Sequence, residues 1–252
     1  MVKVLFAGPS LHGVAERPAD IERRAPARQG DLLAAVHDGA TVIGLVDGLF
    51  ETVASVWHKE ILFALAEGVE VLGAASLGAL RAAECAPFGM VPVGWIAQRY
   101  IGGELDDDAA VAQLHAPAEL GFQAVTEALV DVEAAVADLR RRSAVSPAEA
   151  SRLLAAARAT FFKERTYARL AETAGLSRER GLEIKAAVGA LGPRLKQRDA
   201  LRLVEAMLAL PDARRSVRPG WTLSRPAAFS RSLATAVAGS GPVTTDLPSL
   251  QP

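Results

Sequence analysis

WHKEILFALAEGVEVLGAASLGALRAAE, from Trp57 to Glu84, is the stretch that decides the fold. Its apolar residues first recur at helical spacing and stop at Gly68. They then run from Val69 to Ala75, broken only by Glu70, and return to helical spacing after Ser76. Helix, buried strand, small-residue turn and helix is the reading. Working outward toward the N-terminus, Val2–Ala7 and Thr41–Val46 are short apolar runs ended by Gly8-Pro9 and Asp47-Gly48. Between them DLLAAVHDG reads as a helix from Asp31 stopped at Gly39, and Val53 to Ala66 reads as the next. Residues 14–28 read as a loop. Strands alternating with helices in this rhythm predict an α/β fold, with a small, mainly parallel sheet and flanking helices.

After residue 87 the pattern loosens. Trp95–Ile101 reads as a short helix, and AAVAQLHA fits helix or strand equally. From Thr126 the chain reads as helical, over Glu127–Arg142, Pro147–Ala174, Ser177–Leu191 and Lys196–Leu210, with Ser146-Pro147 as a start signal. The expected organisation is an α/β core over 1–125, a helical C-terminal region over 126–212, and an irregular tail over 213–252 whose last dozen residues are disordered.

The 252 residues carry a net charge of −1, unevenly spread. Residues 1–139 hold 8 Lys/Arg against 20 Asp/Glu, and residues 140–252 hold 20 against 9. The two halves complement each other or serve separate partners. The basic residues are isolated arginines among Ala and Leu with few aromatics, a weak pattern for nucleic acid. A single cysteine, Cys85, excludes a disulfide framework and any multi-cysteine metal site. No apolar run reaches the ~20 residues of a membrane helix, and the N-terminus lacks a full signal peptide. The expectation is a cytoplasmic protein without cofactor or metal, and the apolar helices after Glu127 would support a homodimer.

In a parallel sheet, functional residues gather where strand C-termini meet helix N-termini. Ser76 ends the third predicted strand at that edge, flanked by Ala74 and Gly78 in a relaxed form of the G-x-S-x-G nucleophile turn. The following helix N-terminus offers free N–H groups to an oxyanion. Lys59 lies about six residues into the preceding helix, roughly 9 Å below the edge, with its amine leaning back toward it. A Ser–Lys pair able to do covalent hydrolase chemistry is the functional reading; an N-capping serine and a solvated lysine are the plain one. Gly8 and Ser10 face the same edge and would shape a pocket, as would Leu77. Asp47-Gly48 reads as a turn whose carboxylate could orient Lys59. His58, about 100° away around the helix, reads as structural or as an interface residue. Arg81 and Glu84 are spaced for an ion pair, with Arg81 an alternative carboxylate binder. Consecutive Asp106, Asp107 and Asp108 cannot all reach one metal ion and read as caps or partner contacts, and His115 reads as a supporting residue.

At these residues the chain resembles the TfuA-like family. The matching pieces are Gly30-Asp31, IGLVDGLF through Phe50, Trp57-His58-Lys59-Glu60-Ile61 and GAASLGALRAAE. Phe88-Gly89-Met90 and Asp106-Asp107-Asp108 followed by His115 continue the order. Together they span about residues 26 to 130, and the arginine-rich half carries no such motif. Leu77 departs from the pattern, where Met is expected, a volume-conserving change. The resemblance implies an accessory protein of YcaO enzymes, which use ATP to activate a peptide amide for conversion to a thioamide. It implies hydrolysis of the C-terminal thiocarboxylate of a ubiquitin-like carrier, ThiS, to release sulfide, and help in engaging the substrate peptide. It also implies a Ser–Lys catalytic pair, carried onto Ser76 and Lys59. The alternative is a non-catalytic adaptor that recruits peptide to YcaO or activates it allosterically.

Overall fold

The computed structural model describes residues 2–15, 18–49, 53–216 and 219–239. Its centre is a five-stranded, all-parallel sheet of β1 (Val2–Phe6), β2 (Ile21–Arg24), β3 (Ala40–Leu45), β4 (Glu70–Gly73) and β5 (Val91–Pro92), in the order β2-β1-β3-β4-β5. The crossovers are α1 (Asp31–His37), α2 (His58–Ala66) and α3 (Leu77–Cys85). The two outermost strands fall in the segment read from the sequence as a loop and in the loosened stretch after residue 87. IERR has no apolar run and VP is two residues long, so edge strands of this kind leave little periodicity to read.

Side-chain alternation sorts the sheet into two cores. Val4, Phe6, Ile43, Leu45 and Val71 pack with α1, α2 and α3 on one face. Leu5, Ala7, Val42, Val46 and Leu72 pack on the other against Ala200, Leu203 and Met207 of α9 (Leu195–Ala209). Gly44 permits that approach, since a Cβ there would lie 2.3 Å from Met207 Sδ. Lys3 pins the far end of α9, its amine donating to the carbonyls of Met207 at 2.9 Å and Leu210 at 2.6 Å.

The helical region is α5 (Leu129–Arg141), α6 (Pro147–Ala159), α7 (Tyr167–Thr173) and α8 (Arg178–Gly189), joined around Val136, Leu139, Leu153, Leu170 and Ile184. A short helix, α4 (Gly94–Ile101), joins it to the sheet layer through Ile96, Ala79 and Val130. The helix expected over 147–174 is two helices. α6 ends at Thr160, whose hydroxyl donates to Ala156 O at 2.7 Å, and residues 161–166 turn toward the sheet edge before α7.

The tail read as irregular contains α10 (Ala227–Gly239), which buries Phe229 against Phe63 with ring centres 6.1 Å apart. The last dozen residues, read as disordered, lie outside the described residues, as does Phe50. The preceding segment straps the sheet layer: Arg214 donates to Val36 O and Ala40 O, and Arg215 pairs with Glu70. The opposite charges of the two halves thus meet within the molecule. Among the described residues no helix is long and apolar enough to cross a membrane.

Helix α2 begins at His58 rather than Val53, and Glu60 is the reason. Its carboxylate accepts the Trp57 N–H at 3.2 Å and the Gly30 N–H at 2.9 Å, fixing the start of the helix against the start of α1. Burial raises its pKa from an ordinary 4.5 to about 7, against the pull of those donors. The folded chain therefore holds a proton that the unfolded chain has released between those two values. Glu60's contribution to stability is full below pH 4.5 and is lost as pH rises through about 7. Melting temperatures across that window should fall less steeply in Glu60→Gln than in the parent.

Candidate active site

Ser76 sits between β4 and α3 on a strained turn. Ala75 adopts φ 65°, a left-handed value rare for a residue with a Cβ, and the Ser76 N–H closes the turn onto Ala74 O at 2.8 Å. Gly78 lets α3 press onto β3. Its N–H donates to Val46 O at 3.1 Å, and a Cβ there would lie 1.7 Å from Leu45 O. Leu77, the first residue of α3, packs over Gly48. Its N–H has no acceptor among the described residues, as expected of a first-turn donor.

Ser76 is 4% exposed and lines a cavity of about 230 Å³ at the C-terminal edge of the sheet. The sheet layer contributes Pro9, Asp47, Gly48, Leu49 and Ser76; the rest of the lining comes from Gln113, Leu114 and His115, Phe162 and Lys163 after α6, and Lys196 of α9. The site is therefore built between the α/β layer and the helical region.

Lys196 is the amine that accompanies Ser76. It is 2% exposed, and its Nζ donates to Val111 O at 2.9 Å and to Gln113 Oε1 at 2.9 Å. The Ser76 hydroxyl donates to the same Val111 oxygen at 3.5 Å. Serine and lysine thus meet across one carbonyl. Burial lowers the Lys196 pKa, opposed by the carboxylates of Asp47, Asp131 and Glu127. Asp131 holds the start of α9 in place by accepting the Lys196 backbone N–H at 2.9 Å.

Lys59 is placed elsewhere. With α2 starting at His58, it stands in the first turn, and its amine donates to Ser224 O at 2.8 Å on the C-terminal strap. It is absent from the lining of the Ser76 cavity. Asp47 does not orient Lys59 either: its carboxylate accepts Gly8 N–H at 2.8 Å, Ser10 N–H at 3.0 Å and Ser10 Oγ–H at 2.7 Å. Gly8 and Ser10 therefore shape the edge by being tied to Asp47. Arg81 lies outside the cavity, donating to Val56 O at 3.2 Å and pairing with Glu84 at 2.6 Å; His58 joins the same carboxylate at 2.8 Å. Asp107 caps a short turn by accepting the Ala109 N–H at 2.8 Å, and Asp106 and Asp107 line a different cavity, beside Arg158 and Arg165. No group of three or more His, Cys, Asp or Glu is placed to hold a metal among the described residues.

His115 does line the Ser76 cavity. Its Nδ1 lies 2.8 Å from Ala116 O, an oxygen that can only accept, so Nδ1 donates there. The residues missed from the sequence are Lys196, Gln113, Phe162 and Lys163. For Lys196 a signal existed: in LKQRDALRLVEAMLA it falls in phase with Ala200, Leu203 and Met207, a lysine on the apolar face of its helix.

Fold and cavity together define a three-layer α/β protein with Ser76 and Lys196 lining one cavity at the carboxyl edge of its sheet. The family model described as TfuA-like protein matches residues 47–166, just under half of the chain. The matched span contains Asp47, Ser76, Gln113, His115 and Lys163, and ends before Lys196. No curated protein matches the chain.

Proposed function

We propose that this protein hydrolyses the C-terminal thiocarboxylate of a ubiquitin-like sulfur carrier of the ThiS kind, and that the sulfide serves backbone thioamidation by a YcaO-type enzyme acting on a substrate peptide. TfuA-like proteins associate in general with YcaO-type partners. The observation that carries the chemical reading is the shared Val111 carbonyl, which holds a buried amine beside a serine on a strained strand-to-helix turn.

In this mechanism Lys196, rather than Lys59, is the base. Its neutral amine takes the Ser76 proton as the oxygen bonds the thiocarboxylate carbon. The developing oxyanion is met by the Leu77 N–H at the positive end of α3. Lys196 returns the proton to sulfur, the carbon–sulfur bond breaks, and HS⁻ leaves an ester on Ser76. Water then cleaves the ester to a carboxylate and restores the serine. No cofactor enters these steps.

The deciding assay incubates the purified protein with thiocarboxylated carrier, without YcaO, and quantifies sulfide. Continuous release supports hydrolysis. No release, together with enhanced peptide binding by YcaO, would leave the adaptor role instead. Lys59→Ala is expected to retain sulfide release within about threefold of the parent, since its amine serves the strap. Loss of release in that variant would return the base to Lys59.

A further inference from the structure

A second cavity, of about 260 Å³, lies on the far side of Lys196. It shares Pro9, Gln113 and Lys196 with the Ser76 cavity, so these residues form the wall between the two. Its inner end is the buried pair Lys196 and Asp131, and its outer rim is His12, Gln123 and Ala124, all exposed. Its lining is polar, and the charges within it are matched, Arg194 pairing with Glu127 at 3.2 Å. Polar space of this size holds several waters at ~30 Å³ each.

The proposed reaction gives that space a use. Once Ser76 is acylated, the carrier is covalently attached and its tail occupies the Ser76 cavity. Water is then obstructed from the side by which the substrate entered. The rear cavity approaches the same ester from behind, separated from it by the 2.9 Å hydrogen bond between Lys196 and Gln113.

Resting on the thiocarboxylate reading, we infer that the rear cavity supplies the hydrolytic water, with the Lys196–Gln113 contact as its inner gate. Water oxygen bonds the ester carbon while one of its protons passes to Lys196. The Ser76 oxygen–carbon bond breaks, Lys196 returns that proton to Ser76, and the second water proton leaves with the acid, which ionises.

Ala124→Trp and Gln197→Trp fill the rear cavity from two walls; neither residue lines the Ser76 cavity, and Ala124 adjoins it only through its backbone bridge to His115. With the thiocarboxylated carrier, each is expected to release a first equivalent of sulfide at the parental rate, then turn over at least about tenfold more slowly. Intact mass should show a carrier–protein ester that disappears in the Ser76→Ala background. Parental turnover in both variants with no ester overturns the water route, and so does loss of the first equivalent in both. A parent that releases no sulfide overturns the thiocarboxylate reading and this inference with it, so the two failures are told apart by the parent.

Discussion

Ser76→Ala is expected to reduce sulfide release from a thiocarboxylated carrier by about 10³-fold or more, because among the described residues that line the cavity Ser76 carries the one hydroxyl that could form the ester. Two substitutions at Lys196 separate its charge from its basicity. Lys196→Arg keeps a cation among Asp47, Asp131 and Glu127 but cannot give up its proton near neutral pH. It should fold and bind the carrier while losing release to a similar degree. Lys196→Met keeps the length of the side chain and removes the buried cation beside those carboxylates. It should lose release and also melt earlier, since removing one member of a buried charged group costs about 3–5 kcal/mol. The parental rate should rise with pH as the lowered Lys196 pKa is passed, because only the neutral amine accepts the serine proton. A pH-independent rate, or full activity in Lys196→Arg, would remove Lys196 as base.

The second large effect is on the fold that presents the serine. In Gly78→Ala the new methyl would meet Leu45 O at 1.7 Å and Leu45 C at 2.5 Å, backbone that cannot rotate away. Helix α3 must lift from β3, stretching the Gly78 N–H bond to Val46 and dragging the Ser76 turn with it. The expected cost is about 3 kcal/mol or more. In a chain of this size that corresponds to a fall in Tm of roughly 6–12 °C, measurable by thermal melting. A parental Tm would show that α3 has room which the close approach denies it.

The architecture was legible where the chain is buried on both sides. β1, β3 and β4 are mostly apolar runs, each with a single polar residue, and the helices between them stop at Gly39 and Gly68, so period and punctuation agree. The edge strands were not legible, because IERR and VP owe their pairing to β1 and β4 rather than to their own composition. The site was half legible. Ser76 follows from local pattern, since the turn needs small residues around it. Lys196 stands 120 positions further along, and nothing in its neighbourhood announces which face of the sheet α9 will cover. Lys59 drew attention as the near lysine in sequence, yet the strap through Ser224 takes its amine. Distance along the chain misled where the packing of a remote helix decided.

That α9 supplies the lysine has a consequence in the order of synthesis. The sheet, the Ser76 turn and the cap on Asp107 are all encoded before residue 126, and domains form from the N-terminus as the chain emerges. Until α9 has been made, Lys3 lacks the carbonyls that hold it and Ser76 lacks its amine. On the proposed mechanism the nascent protein carries its serine in an unarmed state until α9 docks on the sheet.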